Sequence, residues 1–305
     1  MTATVVHKNP ICSFNANWIA PVVNQYLQFQ PWDFEKTYDP GTLFYLNLSD
    51  FCTEQDHVFC AELVDRGFRV IIDNLWECDP GPVPNTHRIV SDRWFWYNES
   101  LWYQYLGYDQ YQPQRDFRYR ALMPMNRRRT HRDDWISRVD CTGLLWSYVE
   151  AGRQLPDDGD MSDWNTQRLM NPAWYNQSYA NIVVESLVRP GSRYTPCFIT
   201  EKTMKPLAFQ QPFVVYGNRN VLATLRSWGF ETWSNLWDES YDQIVDHQQR
   251  RDAVIDIVNA LTPQAHSTET LQKLQHNRNH FFDTDLVRRG FVKDVLEPIL
   301  EYAQQ

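Results

Sequence analysis

Residues 179–217 read YANIVVESLVRPGSRYTPCFITEKTMKPLAFQQPFVVYG, and the fold turns on how this stretch is read. Its two ends, 181–184 and 212–216, are apolar and β-branched, each fitting a buried strand. Between them Thr200-Glu201-Lys202-Thr203 opens a short segment of helical character that reaches Phe209. Thr200 suits the capping position of that helix, where unpaired backbone N–H groups and the positive end of the dipole favour an anion. Lys202 adds a full positive charge within the first turn. A strand, a cap and a lysine, followed by helix and strand, can hold a phosphorylated ligand at the carboxyl edge of a parallel sheet. The alternative is an ordinary strand–helix–strand crossover with surface charges.

Moving outward, the same alternation recurs. The first 40 residues read as irregular, interrupted by Pro10, Pro21, Pro31 and Pro40. A strand is expected over 43–48, a helix over 54–65 ended by Gly67, and a second strand over 68–73, a β-α-β unit. A strand over 87–97, a helix over 99–108, a strand over 118–123 and a helix over 133–150 follow. After the central stretch come a helix over 220–228, a short strand over 230–233, and helices over 241–260, 268–280 and 284–303. The sequence predicts an α/β protein with two Rossmann-like domains facing each other across a cleft. Boundaries are expected at 1–115, 116–265 and 266–305, the last being helices that pack back across the domains.

The bulk properties narrow the class. The chain has 305 residues, of which 43% are hydrophobic, enough for a sizeable core. Its net charge of −9 argues against a general polyanion binder, so any basic patch counts by position. The aromatic content includes 13 Trp, and some of those rings are expected to line a cleft. The opening MTATVVHKNP does not resemble a secretory signal, and no apolar run is long enough to cross a membrane. Cys12, Cys52, Cys60, Cys78, Cys141 and Cys197 form no C-x-x-C pair, which favours a reduced, cytoplasmic setting over a zinc knuckle or a disulfide framework.

Three constellations carry candidate chemistry. The first is Asn126-Arg127-Arg128-Arg129-Thr130-His131-Arg132, at a strand's carboxyl end and a helix's start. Guanidinium forks bind phosphate oxygens in pairs, so this run suits a diphosphate; solvated surface and nucleic-acid backbone are the alternatives. The second is Glu185, Glu201 and Lys202, where a carboxylate could accept from both ribose hydroxyls and the lysine pair with a phosphate; the alternative for Glu185 is a strand-end carboxylate satisfied by a neighbouring helix start. The third is Asp73-Asn74-Leu75-Trp76-Glu77, where Asp73 or Glu77 could deprotonate a hydroxyl acceptor. Asp92 and Glu99 compete for that role, and Trp94 and Trp96 in the aromatic segment are candidates for the acceptor surface. No metal is expected. The Asp-x-Asp of Asp158-Gly159-Asp160 lies in a turn-rich linker with no apolar strand before it, and His131, His247 and His280 read as standing apart, with no H-x-x-x-H pair among them.

These pieces resemble the donor half of the α1,3-fucosyltransferase family over roughly 117–242. The matching segments are Met125-Asn126 with Arg132, Val183-Val184-Glu185-Ser186, Phe198-Ile199-Thr200-Glu201-Lys202, and 212–217. The whole chain also resembles a group of glycosyltransferase-like proteins of tailed phages, which share Gly229-Phe230 and Asp238-Glu239-Ser240-Tyr241-Asp242. The resemblance implies a GT-B arrangement and metal-independent, inverting transfer of a sugar from a nucleotide donor, UDP- or GDP-linked. Asn126, Arg127, Arg129, Arg132, Glu185, Thr200, Glu201 and Lys202 would bind the donor, with cations from both halves of the molecule meeting around one pyrophosphate. Glu185 would lie near the sugar and join Asp73 and Glu77 as a catalytic candidate. Asp92, Trp94, Trp96 and Glu99 would meet a hydroxyl acceptor: a hydroxymethylated phage DNA base, a glycan or a protein. Such a chain would work in the cytoplasm, that of the host if phage-encoded. The alternative is a non-catalytic nucleotide- or nucleic-acid-binding protein on the same fold. Oligomeric state is not legible.

Overall fold

The computed structural model describes residues 3–7, 17–31, 33, 36–39, 41–47, 54–73, 86–89, 93–155, 171–188 and 197–305. They fall into two compact units, one within Met1–Leu106 and Thr284–Gln305, the other within Gly107–Pro190 and Cys197–Asp283. The divisions at 106/107 and 283/284 stand beside the 115/116 and 265/266 expected from sequence. The α/β class is as expected: each unit is built on a sheet whose strands all run parallel.

The first unit holds β1 (Ala3–His7), β2 (Leu27–Pro31), β3 (Leu43–Asn47), β4 (Arg69–Asp73) and β5 (Thr86–Ile89), in the order β2-β1-β3-β4-β5. The strands β1 and β2 lie in the stretch read as irregular, which is a correction. Each is short, and Pro31 is tolerated because β2 sits at the sheet edge, where a missing N–H breaks no ladder. Helix α1 (Ala20–Val23) joins them, and α2 (Glu54–Asp65) connects β3 to β4. Gly67, at φ 81°, ends α2 as expected, its neighbour Phe68 donating back to the Leu63 carbonyl. Val6, Phe44, Cys60, Leu63, Phe68 and Val70 form one core cluster of the unit.

A larger correction concerns residues 87–108. The strand ends at Ile89, and α3 (Trp94–Tyr105) takes WFWYNESLWYQY, with ten of its residues buried. A helix covered on all sides shows no polar face, so its aromatic run mimics a strand. Against it pack α10 (Thr284–Phe291) and a π-helical turn over Val292–Leu296, and α11 (Glu297–Gln304) follows against β5 within the same unit. The Tyr97 hydroxyl donates to Asp294 Oδ2 at 2.6 Å, and a Cβ on Gly290 would lie 2.6 Å from that hydroxyl. Only glycine lets α10 approach α3 so closely.

The second unit holds β6 (Tyr119–Met125), β7 (Leu144–Tyr148), β8 (Ser178–Val184) and β9 (Phe213–Tyr216), in the order β7-β6-β8-β9. Every residue of β8 and β9 is buried, as in a parallel sheet covered on both faces, although β9 stands at the edge. Helix α4 (Thr130–Ile136) follows β6, α5 (Pro172–Gln177) precedes β8, and α6 (Glu201–Ala208) links β8 to β9. Then come α7 (Val221–Ser227), α8 (His247–Ala260) and α9 (Thr268–Phe281). The helix expected over 133–150 is instead α4 and β7. Gly143, at φ 71°, turns the chain between them, and LLWSY pairs with β6. No strand forms at 230–233; there the backbone N–H groups of Glu231 and Trp233 go to Asn277 and Glu239 side chains. The helix expected from 241 begins at His247, capped by Asp246.

In both units the first strand lies between the second and third, so successive crossovers leave it in opposite directions. Ligands of doubly wound sheets bind outside the carboxyl ends of the strands at this reversal. In the second unit it falls between β6 and β8.

Candidate functional site

The β6/β8 reversal brings together two of the three constellations. Following β6, the loop Asn126-Arg127-Arg128-Arg129 enters α4. It is tied down by Glu150, whose backbone N–H donates to the Asn126 carbonyl at 3.0 Å and whose Oε2 accepts from Arg128 N at 2.6 Å. Trp135 anchors α4 on the sheet, stacked on Tyr216 with its indole N–H on Met123 Sδ. The four guanidiniums then part ways. Arg128 grips Asp133 through Nε and Nη2 at 3.3 Å. A hydrogen bond from Tyr148, together with Arg128, holds the Asp133 carboxyl below its usual range. Arg127 is exposed, and Arg129 caps α4 in extended conformation, partly covered.

Arg132 turns inward and is only 2% exposed. Nη1 donates to the Arg127 carbonyl at 3.0 Å and Nη2 to the Val184 carbonyl at 3.1 Å, so one guanidinium clamps the two strand ends. Its Nε is buried without a hydrogen-bond partner. Burial lowers its pKa, and the fields of Glu185 and Glu201 work in the opposite direction.

Glu185, the residue after β8, is fully buried. Oε1 accepts from Thr200 N at 3.0 Å and Thr203 Oγ1 at 2.6 Å; Oε2 accepts from Thr200 Oγ1 at 2.6 Å and Ser186 N at 3.3 Å. This carboxylate is the socket into which α6 is plugged. The expectation that it serves the sugar or the chemistry is corrected on that ground: both oxygens are committed, and none of the residue is exposed. Thr200 caps α6 as read from sequence, its Oγ1 accepting from Lys202 N.

Lys202 and Glu201 follow in the first turn. The ammonium donates to Glu201 Oε1 at 2.6 Å, to Ser186 Oγ at 3.2 Å and to Thr200 Oγ1 at 3.4 Å, with both side chains about a quarter exposed. Lys202 thus pairs with Glu201, whose field also acts on Arg132. Both cations belong to the second unit, which corrects the expectation of cations from both halves.

The third constellation fares differently. Asp73 ends β4, in register with Asn47 on β3, whereas Glu77 and Asp92 lie outside the described residues. Trp94, Trp96 and Glu99 are buried in α3 at 4%, 2% and 0% exposure, which corrects their assignment to an acceptor surface. Trp94 packs on Phe291 at 5.8 Å, and Glu99 accepts from Asn98 Nδ2 at 3.0 Å.

Residues missed from sequence are Ser186, a partner of Lys202, and the loop braces Asp133, Tyr148 and Glu150. Ser186 sits directly behind Glu185, which was signal enough. Arg250 was also missed; it donates to the carbonyls of Gly217, Val188 and Ile244. His276 was overlooked beside His280: the two are four apart on α9, with rings stacked at 5.9 Å. Their Nε2 atoms meet the Gly229 and Trp228 carbonyls, so the pair braces a turn. Asp158 and Asp160 lie outside the described residues; among the rest, no three His, Cys, Asp or Glu side chains gather as a metal site. The 238–242 piece is structural, Asp242 capping α7 through Leu222 N and Ala223 N. No described helix is long and apolar enough to cross a membrane.

No family model and no curated protein matches the chain. Among solved structures it is similar to a crystal structure of an alpha1,3-fucosyltransferase with GDP, at 10% identity and a TM-score of 0.44, covering 100% of this chain and 91% of that one. It is also similar to a second alpha1,3-fucosyltransferase structure at 9% identity and a TM-score of 0.42, covering 93% and 90%.

Proposed function

We propose that the chain is a glycosyltransferase of GT-B type, transferring a sugar from a nucleoside-diphosphate donor to a hydroxyl acceptor with inversion and without a metal. The observation that carries this reading is the β6/β8 reversal, where the partly exposed ammonium of Lys202 stands in the first turn of α6 beside Ser186, and its partner Glu201 acts on the buried Arg132.

The chemistry follows from charge. As the sugar–phosphate bond breaks, negative charge grows on the departing diphosphate, and fixed cations there lower the barrier. In the free protein Lys202 is neutralised by Glu201. A diphosphate would take the carboxylate's place at the ammonium and release Glu201 to accept from the ribose hydroxyls. Arg132 and Glu185 serve this exchange by fixing the strand ends and the helix start. For the acceptor's proton, Asp73, the last residue of β4, stays a candidate base. The acceptor class is a hydroxyl on a hydroxymethylated DNA base or a glycan.

The test is turnover. Incubated with UDP- and GDP-sugars and either hydroxymethylated DNA or oligosaccharides, the protein should release nucleoside diphosphate with one donor and gain rate with one acceptor. Saturable binding with no release from any combination would instead mark a non-catalytic nucleotide binder.

A further inference from the structure

The imidazole of His131 bridges the two sides of the reversal. It stands in the first turn of α4, after β6, with Nε2 3.0 Å from the carbonyl oxygen of Glu185, just past β8. A carbonyl only accepts, so Nε2 carries the proton and Nδ1 keeps its lone pair. Among the described residues nothing donates to Nδ1, and it is not one of the sealed, unpaired side-chain atoms of the molecule. The His131 side chain as a whole is partly exposed. Tyr216 of β9 meets the ring edge-on at 6.2 Å. The charged groups around it are Arg129 and Arg132 on its own segment and His247 from the start of α8. Burial first, then these cations, lower its pKa to about 4, so the ring is neutral near pH 7.

The remaining charged groups here are mostly donors: the Lys202 ammonium and the guanidiniums of Arg129 and Arg132. A bound diphosphate offers them acceptors and has no use for a lone pair. A ligand hydroxyl does.

We infer that His131 is a specificity-determining residue of this site, its Nδ1 accepting a hydrogen bond from a hydroxyl of the bound nucleotide-sugar. The inference rests on the glycosyltransferase reading above and deepens it: the donor must present a hydroxyl beside the diphosphate, on the ribose or on the transferred sugar.

Two substitutions separate this role from a structural one. His131→Gln can still donate to the Glu185 carbonyl but has nothing at the Nδ1 position. His131→Asn keeps an oxygen near Nδ1 and loses the Glu185 contact. Calorimetric titration of each variant uses UDP, GDP and their sugars, with melting temperature read in parallel. Expected is a His131→Gln protein of near-wild-type melting temperature that binds nucleotide-sugar about tenfold more weakly, the loss of one hydrogen bond. His131→Asn should melt lower yet bind within about threefold of wild type. Weakening that extends to the bare nucleoside diphosphate assigns the hydroxyl to ribose; weakening confined to the nucleotide-sugar assigns it to the sugar. Wild-type affinity in His131→Gln overturns the inference alone, as does loss of affinity that merely follows melting temperature. A wild-type protein that binds none of the probes overturns the transferase reading, and this inference with it.

Discussion

Two arginines are buried at neighbouring strand ends of the second unit, and they are finished differently. Arg250 reaches from α8 to the ends of β8 and β9 and uses all three nitrogens: Nε on the Gly217 carbonyl, Nη1 on Ile244 and Val245, Nη2 on Val188. Arg132 reaches from α4 to the ends of β6 and β8 with two nitrogens on carbonyls and Nε on nothing. Both are almost fully covered, at 2% exposure each. A buried N–H left unpaired costs stability unless something else accepts from it. Arg250 thus reads as scaffold. Arg132 reads as scaffold with one donor sealed and unpaired, at the sheet reversal.

The largest expected effect tests that asymmetry directly. Arg250→Met should lower unfolding free energy by about 3–5 kcal/mol, since several buried carbonyls lose their donor. Arg132→Met should cost roughly half as much by the same bookkeeping. Urea midpoints at constant slope provide the comparison, and equal losses would break it.

Next in size is Lys202→Ala. The Glu201–Lys202 pair is partly exposed, so its removal should shift melting by little. Nucleoside-diphosphate release should nonetheless fall about a hundredfold, the usual loss for one donor aimed at transition-state charge. A variant that turns over normally would return Lys202 to the class of surface cations, alongside Arg128 on Asp133.

Acid should weaken the Arg132 region through His131. Its folded pKa, about 4, lies below the ordinary 6.5, so the unfolded chain binds the extra proton between those values. The contribution is complete above pH 6.5 and is lost as pH falls from 6.5 toward 4. The loss should be of order 2 kcal/mol after allowance for partial exposure. His266 is lowered to about 4 as well, chiefly by burial, and adds a slope of the same sign. His131→Asn should therefore flatten part of the stability–pH curve and leave the remainder to His266. An unchanged curve would mean that His131 is not held neutral.

The smallest effect belongs to the cap. Thr200→Ala removes an acceptor for Lys202 N and a donor to Glu185, at a cost of about 1–2 kcal/mol. A change below a few tenths would show that Glu185 alone secures the start of α6.

Much of this site was legible because its motifs are local. Strand, Glu-Ser, capping threonine and lysine follow each other within a few positions, and the strands β8 and β9 announce themselves by β-branched runs. What chemistry each residue is left free to do was not legible. The identical side chains of Arg127, Arg128, Arg129 and Arg132 part only when Asp133 and the Val184 carbonyl come within reach. Glu185 looks like a ligand-facing carboxylate until two threonines from α6 close on it. In the first unit the failure was of pattern: α3 hides a helix inside an aromatic run, and β1 and β2 are short and flanked by proline. Burial on every side erases the periodicity on which such readings depend.

Titration calorimetry of the wild-type protein and Lys202→Ala with UDP and with GDP tests the central claim most directly. Saturable binding of one diphosphate to the wild type, weakened at least tenfold in the variant, is what a cationic crevice between β6 and β8 requires. No heat with either ligand, or equal affinity in the two proteins, would contradict it.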